Sequence, residues 1–419
     1  MNQDSQPRAQ PRASAPVLAC LAFVIGTAAL VWFRGGPTQF FAQLDPRNAY
    51  NVCFGGQEPT LLCDFAKVYY SQGLRLQREP TAVTGFYYSP FFAVCMLLLS
   101  QLGFEAARAL WFGLVLAALG ALVALPYWFE LLRTRRACLL YALALVLSLP
   151  VLHDAIYGQV SSISCVLVAL SLLTYGRSRR VLSAVLLGLA TAIKFYPALF
   201  ALYYLARRDL ETAAYYSLTV VVCIALIPCL VLGGHGYLAL VSAIIENLSQ
   251  LSRYLSRTHY SNAAPSVLKF AAQRWFGLGA SAYPIAIALS AALALFQIAL
   301  MIRAARRDDR LATLLLGFAA LPFIVRSCWM HYFVFLPLLQ AYVLLAGRPA
   351  GLKALSRWCA LLGPVISATL ISYPYLALFP NVDAYYQSGL VFWATFVLLP
   401  GLALSQFSGR YGLKPTSST

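Results

Sequence analysis

Long apolar runs alternate with short polar segments along most of the chain. Each run contains about 15 to 25 residues, which is the length that an α-helix needs to cross the hydrocarbon core of a bilayer. The runs lie at residues 16–33, 108–129, 138–152, 160–175, 213–232, 281–302, 311–325, 332–345, 359–372 and 390–404. Two shorter runs, 181–193 and 195–206, predict an up-and-down hairpin with Lys194 near its outer apex. The pattern predicts an all-α, polytopic integral membrane protein with about 12 transmembrane helices in a single domain, residues 1–419.

The composition agrees with a membrane protein and excludes a water-soluble enzyme. Hydrophobic residues make up 61% of the sequence and charged residues 11%, with a mean hydropathy of +0.72, whereas about a quarter of the residues in soluble domains are charged. The net charge is +17, and many of the basic residues lie in clusters between the apolar runs. These clusters are residues 133–136, 177–180, 207–208 and 303–310, and Arg348, Lys353 and Arg357. Loops rich in Lys and Arg stay in the cytoplasm. We therefore expect the protein to lie in the lipid bilayer and to bind no nucleic acid. We also expect both termini, including the tail 405–419, to lie in the cytoplasm.

The basic clusters also limit how many times the chain crosses. The first run, 16–33, follows two arginines and predicts an uncleaved signal anchor with its N-terminus inside. If residues 89–102 and 108–129 both crossed, the cluster at 133–136 would lie outside, against the positive-inside rule. We therefore expect residues 88–104 to form an outer juxtamembrane helix that does not cross.

Two long polar segments then face the extracytoplasmic side. The first loop, 34–87, contains Asp64, and the second lies at 233–280. Cys53 and Cys63 share the first loop, and their spacing leaves open whether they form a disulfide.

Polar and aromatic residues collect at the outer ends of the predicted crossings. Ionisable groups at membrane depth are costly and usually mark a site. The candidates are Asp64, Tyr69, Tyr70, Tyr88, Asp154, Gln159, Lys194, Tyr196, Arg257, Arg326, Trp329 and His331. Such a set can transfer a sugar from a lipid-linked phosphate donor, because a carboxylate can deprotonate an acceptor hydroxyl and cations can stabilise the departing phosphate.

The residue types suggest a role for each candidate. Asp64 is the candidate base, and His331 contacts the phosphate or the acceptor. The donor phosphate is expected to bind Lys194, Arg257 and Arg326. The expected substrate-binding residues are Tyr69, Tyr70, Tyr88, Asp154, Gln159, Tyr196 and Trp329. Asp154 has an equally good structural interpretation as a helix cap.

No cofactor is expected, and the histidines show no metal-ligand spacing. We therefore predict no structural metal, although a loosely held divalent ion stays open.

Five motifs, in sequence order, resemble glycosyltransferase family 87. They are DFAKVYYSQG at 64–73, YYSPFF at 87–92, GQV at 158–160, GLATAIKFYP at 188–197 and WMHY at 329–332. Members of this family are polyprenyl-phosphate-mannose-dependent mannosyltransferases with the GT-C fold.

The resemblance implies a transferase that moves a hexose, mannose by implication, from a polyprenyl-phosphate donor with inversion. The acceptor would be a glycolipid or glycan on the extracytoplasmic side of a bacterial plasma membrane. The resemblance also assigns the catalytic base to Asp64 and a functional late-loop histidine to His331. The chain departs from the family pattern at Ser89-Pro90, where Pro-Pro is frequent, and after Gln159, where Val-Ser-Ser replaces the frequent Val-Asn. These departures leave the acceptor open.

A polytopic transporter or lipid flippase is the alternative. Such a protein would carry ionisable residues at the bilayer midplane and, commonly, two related halves. The sequence shows no two-fold repeat, and its ionisable residues lie at one boundary of the predicted membrane region. Both features favour the transferase.

Overall fold

The structure is a computed structural model that describes residues 62–79, 85–132, 134–257, 261–279, 282–346, 354–376, 378–379 and 382–407. These residues are helical and contain no strand apart from an isolated bridge between Ser148 and Ser372. The predicted first crossing at 16–33, most of the loop at 34–87 and the end of the cytoplasmic tail lie outside the described residues. The predicted all-α class is therefore confirmed for the described part of the chain.

The helices follow one another along the chain with short connections. In the first half they are α1 (Ser71–Leu76, preceded by the π-helical turn Phe65–Tyr70), α2 (Pro90–Leu99), α3 (Phe104–Trp128), α4 (Arg135–Leu147), α5 (Leu149–Tyr157), α6 (Ser161–Tyr175), α7 (Arg180–Ile193), α8 (Ala201–Ala206, preceded by the 3-10 helix Tyr196–Phe200) and α9 (Leu210–Val221). In the second half they are α10 (Ile227–Arg257, joined to α9 by the π-helical turn Val222–Leu226), α11 (Ala264–Phe276), α12 (Ala282–Arg306), α13 (Arg310–Ile324), α14 (Leu336–Ala346, preceded by the 3-10 helix Met330–Phe333), α15 (Ala354–Leu370), α16 (Tyr373–Leu376), α17 (Val382–Gln387), α18 (Leu390–Phe396) and α19 (Leu399–Phe407).

Local capping determines where several of these helices begin. Ser89 caps α2, since its Oγ accepts a hydrogen bond from the Phe92 amide at 3.2 Å, and Pro90 occupies the first helical position. Asp209 and Asp309 cap α9 and α13 in the same way. The helix predicted between residues 89 and 102 therefore forms. At about 1.5 Å per residue, its ten residues are too short to span a bilayer.

Four described helical segments are long and apolar enough to cross a membrane, and a fifth is obtained if the bent pair α5 and α6 counts as one span. The four are Phe104–Trp128, Leu210–Leu251, Ala282–Arg306 and Leu390–Phe407. The remaining apolar helices have 10 to 17 residues. The chain is therefore a membrane protein with several capable spans, whereas the larger number of crossings stays a prediction.

Two predicted elements have a different form in the structure. The run at 138–152 is not one helix, because α4 ends before Ser148 and α5 begins after it with Pro150 in its first turn. The predicted outer segment at 233–280 is mostly helical, because α10 continues to Arg257 across a kink at Gly233, whose φ is 72°.

The helices α6, α7 and α13 separate two polar ends of the molecule. The basic end contains residues 176–180, 207–209 and 306–310. There Arg180 Nε lies 3.3 Å from Asp209 Oδ2, and the Tyr203 hydroxyl donates to Asp308 Oδ1 at 2.6 Å. The site end contains residues 158–161, 194–196 and 328–332. The 15 residues of α6 separate the two ends by about 22 Å.

Candidate active site

Asp64 lies directly before the π-helical turn, on a segment that apolar contacts fix in place. Phe65 is fully buried and stacks on Trp111 of α3, with ring centroids 5.2 Å apart. The Leu62 amide donates to the carbonyl of Ile156 in α5 at 2.8 Å. The Asp64 carboxylate accepts a hydrogen bond from the Gln159 side-chain amide and stays partly accessible. The first loop therefore delivers a carboxylate to the site end of the molecule.

Gln159 connects Asp64 to two tyrosines. It follows Gly158, which ends α5 in the left-handed conformation with φ 67°. The Tyr69 and Tyr88 hydroxyls lie 2.8 and 3.1 Å from Gln159 Oε1, and 2.6 Å from each other. Because this oxygen accepts from the tyrosines while the amide nitrogen donates to Asp64, the side chain has one defined orientation.

Lys194 lies where α7 ends, just before the 3-10 helix Tyr196–Phe200. It is 5% exposed, and its Nζ donates to Ser161 Oγ at 2.8 Å. The ammonium also faces aromatic rings, 4.1 Å from the Tyr332 centroid, 5.6 Å from that of Tyr196 and 5.8 Å from that of Tyr88. Tyr88 therefore contacts both Lys194 and the amide that holds Asp64.

Asp154 acts as a helix cap across the bend between α5 and α6. Its carboxylate accepts from the amides of Ser161 and Ser162 at 3.1 and 3.2 Å, and from the Ser162 hydroxyl. It is fully buried and interacts electrostatically with Lys194. Of the two interpretations of the sequence, capping is thus seen in the structure, and substrate binding stays a prediction.

His331 lies in the 3-10 helix after α13 and is 5% exposed. Its ring centroid is 5.0 Å from that of Tyr332, which in turn packs under Lys194. His153 of α5 stacks on His331 with centroids 5.5 Å apart. A chain of direct contacts therefore leads from Asp64 to the late histidine.

Burial controls the charges of Asp64 and Lys194, which both lie in turns outside the long apolar helices. Burial raises the pKa of Asp64 to about 7, against the opposing effects of the Gln159 hydrogen bond and the Lys194 charge. Burial likewise lowers the pKa of Lys194, although the charges of Asp154 and Asp64 oppose this shift. A carboxylate whose pKa lies near neutrality is suited to act as a general base.

We refer to Asp64, Tyr69, Tyr88, Gln159, Lys194 and His331, with the residues in contact with them, as the cluster. The structure does not bring all predicted candidates to this cluster. Tyr70 turns away, because its hydroxyl donates to the Leu102 carbonyl at 2.9 Å and its ring packs on Phe104. Arg326 is exposed and Trp329 half-buried, both just before the 3-10 helix that carries His331. Arg257 ends α10, and its side chain lies outside the described residues.

Some residues of the cluster were not among the predicted site residues. Ser161 directly follows the motif that contains Gln159, and Tyr332 is the last residue of the motif that contains His331. Tyr386, whose ring lies 6.0 Å from that of His153, belongs to α17, where the sequence carried no signal.

Residues 86–327 match the profile of glycosyltransferase family 87, and they make up more than half of the chain. The chain belongs to glycosyltransferase family 87. This confirms the family resemblance of the motifs and makes the protein a glycosyltransferase with membrane-capable helices. The family 87 match includes Tyr88, Gln159 and Lys194, whereas Asp64 and His331 lie outside it. No curated protein matches the chain.

Across the described ranges, no group of three or more His, Cys, Asp or Glu side chains is arranged to hold a metal ion. Cys63 is disulfide-bonded, and Cys53 lies outside the described residues.

Proposed function

We propose that this glycosyltransferase moves a hexose, with mannose the sugar that the family resemblance implies, from a polyprenyl-phosphate donor to a glycolipid or glycan acceptor. The acceptor hydroxyl gives its proton to Asp64 while its oxygen attacks the anomeric carbon. The bond between that carbon and the phosphate oxygen breaks, and polyprenyl phosphate leaves with the bonding electrons. Attack opposite the leaving group inverts the anomeric configuration.

The observation that carries this proposal is the arrangement of Asp64 and Lys194 on either side of Tyr88. Tyr88 binds Gln159, which donates to Asp64, and its ring also faces the Lys194 ammonium. One continuous set of contacts, through an amide and an aromatic residue, thus links the base to the cation. The base can then act on the acceptor while the cation stabilises the departing phosphate.

Lys194 is the phosphate-binding cation that the geometry favours. Its buried ammonium already points at polar and aromatic partners rather than at water, and charge stabilisation is stronger in such a site. His331, in contact with Tyr332 beside Lys194, is positioned to bind the same substrate from the far side. Arg326 and Arg257 remain further candidates for the phosphate or its approach.

An apolar cavity next to the site supports a lipid-linked donor. It has a volume of about 420 Å³ and lies between α2, α3 and α6. Its lining includes Phe92, Met96, Trp111, Ile163 and Ile193. Ile193 directly precedes Lys194, so a prenyl chain in this cavity would leave its phosphate next to the ammonium.

The site would face the extracytoplasmic side, because the basic end is separated from it by the length of α6 and basic loops stay in the cytoplasm. No nucleotide is needed there, since the lipid phosphate is itself the leaving group.

The proposal is tested with Asp64→Asn, which keeps the size of the side chain and removes its basicity. With the purified protein in lipid nanodiscs, radiolabelled polyprenyl-phosphate mannose and a membrane glycolipid extract as acceptor, we expect sugar transfer to fall by about 10² to 10⁴. Asp308→Asn is the matched control. Asp308 lies at the basic end with φ 58°, a conformation that Asn tolerates, and this variant should retain transfer. Normal turnover by Asp64→Asn would refute the assignment of the base.

A further inference from the structure

Two buried ring nitrogens near Lys194 have no hydrogen-bond partner among the residues that the structure describes. They are Nδ1 of His153 and Nδ1 of His331, on rings that stack with centroids 5.5 Å apart and planes inclined by 23°. Buried polar atoms are nearly always hydrogen-bonded, and one left without a partner costs about 1–3 kcal/mol. Two such atoms on adjacent rings indicate a site that a ligand completes.

The packing of the rings determines which part of them a ligand can reach. Tyr157 stacks on His153 with centroids 4.1 Å apart and planes inclined by 10°, and Tyr386 meets the same ring edge to face at 6.0 Å. The faces of His153 are therefore used in stacking. Its nitrogen-bearing edge is the part that remains for a ligand, so hydrogen bonding is favoured over stacking on a sugar ring.

The nearby charge narrows the class of ligand. The ammonium of Lys194 interacts electrostatically with His331, and a like charge disfavours both a protonated imidazole and a bound metal cation. Neutral imidazole offers one donor and one acceptor nitrogen. Hydroxyl groups, which also donate and accept, match this pair better than a metal ion does, and the test below separates them from inorganic phosphate.

The position of the two histidines determines whether they contact the transferred sugar or the acceptor. Asp64 is linked to Lys194 through Gln159 and Tyr88. Lys194 is in turn linked to His331 through Tyr332. The histidines thus lie on the Lys194 side of the cluster. A sugar bonded to a phosphate at Lys194 would reach them, whereas the attacking hydroxyl approaches at Asp64.

We propose that His153 and His331 form one subsite that hydrogen-bonds hydroxyl groups of the transferred sugar and so determines which sugar is accepted. The subsite rests on the proposed function, because it uses the phosphate position at Lys194. His153 is the new member of the site, on a helix far from His331 in sequence.

The test is direct sugar binding to the full-length protein in nanodiscs, followed by saturation-transfer NMR. The probes are the methyl glycosides of mannose, glucose and arabinose, used one at a time. We expect at least one glycoside to bind the unaltered protein, and its dissociation constant to rise tenfold or more in His153→Phe and in His331→Phe. Phenylalanine keeps the aromatic stacking and removes the nitrogens. His235→Phe, at an exposed position on α10, is the matched control and should bind as the unaltered protein does.

Three outcomes would overturn the subsite: no glycoside binds the unaltered protein, binding survives both substitutions, or the pair instead binds Zn²⁺ or inorganic phosphate without binding a glycoside. Thermal unfolding checks that each variant is folded, and His153→Gln replaces His153→Phe if the latter is not.

Asp64→Asn separates the two proposals, because it should abolish transfer and leave glycoside binding intact. If glycosides fail to bind while Asp64→Asn still abolishes transfer, the subsite alone is wrong. If glycosides bind through the histidines while Asp64→Asn transfers sugar normally, the proposed base is wrong and the subsite stands.

Discussion

Asp64 is a carboxylate in surroundings that favour its neutral form. Burial raises its pKa to about 7, although the Gln159 hydrogen bond and the Lys194 charge oppose this effect. Near neutral pH the group is therefore divided between its two protonation states. A side chain in that condition can take a proton from a hydroxyl and release it again within one catalytic cycle.

The plot of the transfer rate against pH should fall on both its acid side and its alkaline side, which we call the acid limb and the alkaline limb. Asp64 must be ionised to accept a proton, so kcat/KM should fall about tenfold per pH unit as the pH drops below about 7. Lys194 must be charged to stabilise the phosphate, and burial lowers its pKa, so the rate should also fall as the pH rises, well before an ordinary lysine would lose its proton. Initial rates measured from pH 5 to pH 10 check both limbs.

Lys194→Arg separates the limbs. A guanidinium stays protonated throughout this range, so the alkaline limb should disappear while the acid limb remains near its original position. A rate that does not change between pH 5 and pH 7 would contradict the role of Asp64, whatever the behaviour of Lys194→Arg.

Gln159 orients the proposed base through its hydrogen bond to the Asp64 carboxylate. Gln159→Leu removes the donor to Asp64, so the carboxylate loses both its orientation and a contact that lowers its pKa. We expect kcat to fall by about 10² because small displacements of a catalytic group cost that much, and the acid limb to move to higher pH. The KM for the donor should change little.

Gln101→Leu, at an exposed position after α2, is the matched control for this change. A Gln159→Leu enzyme with a lower kcat but an unmoved acid limb would show that the glutamine has only a packing role.

The turn between α5 and α6 depends on a glycine. Gly158 has φ 67°, and a Cβ there would lie 3.1 Å from Leu62 Cδ2 and 3.2 Å from Trp111 Nε1. Gly158→Ala should therefore lose about 1–2 kcal/mol from the left-handed conformation, and more from the crowded contacts. The melting temperature should fall, and transfer should fall with it, because the same turn carries Gln159.

Gly277→Ala, at the end of another helix, is the variant with which the loss of stability in Gly158→Ala is compared. Gly277 ends α11 with φ 64°, but a Cβ there would meet no atom of the described residues within 4 Å. Gly277→Ala should therefore lose only the free energy that the left-handed conformation costs an alanine. Equal melting temperatures for the two variants would mean that the Leu62 and Trp111 contacts do not hold the turn.

The elements that could be predicted are those whose signal is local. The helix at Pro90 was predictable because Ser-Pro gives a start and a short apolar run gives its length. The break at Ser148 was not, because residues 138–152 are apolar on both sides of it and only Pro150 marks the new helix. The continuation of α10 beyond Gly233 was missed because a Gly-Gly pair normally favours a loop.

For the candidate site, too, the residues that could be predicted are those with a local signal in the sequence. Lys194 was identified because a lysine between Ile193 and Phe195 at a hairpin apex is unusual. Tyr69 and Tyr70 were predicted together, yet consecutive helical residues point about 100° apart, so only Tyr69 could face Gln159. The stacking of His153 on His331 is a contact between distant helices and could not be read from either motif.

At the scale of the described molecule, two groups of charged residues lie at opposite ends of α6. Arg180, Asp209 and Asp308 form polar contacts at the basic end, whereas Asp64 and Lys194 lie at the site end. Because the positive-inside rule would keep the basic end in the cytoplasm, this separation agrees with our proposal of a site that opens to the outer leaflet and of a lipid-linked donor in the apolar cavity.

If that cavity holds the prenyl chain, filling it should act on the lipid and not on the chemistry. Ala117 of α3 lines the cavity, and Ala117→Trp would occupy part of its volume of about 420 Å³. We expect the KM for a long-chain polyprenyl donor to rise about tenfold, the equivalent of about 1.4 kcal/mol of lost binding, while kcat and the KM for a donor with a two-isoprene chain stay nearly unchanged. Ala109→Trp, at an exposed position on the same helix, controls for adding an indole to α3. Equal effects on long and short donors would show that the prenyl chain lies elsewhere. An effect confined to the long donor would make the groove between α2, α3 and α6 the path by which the lipid brings its phosphate to Lys194.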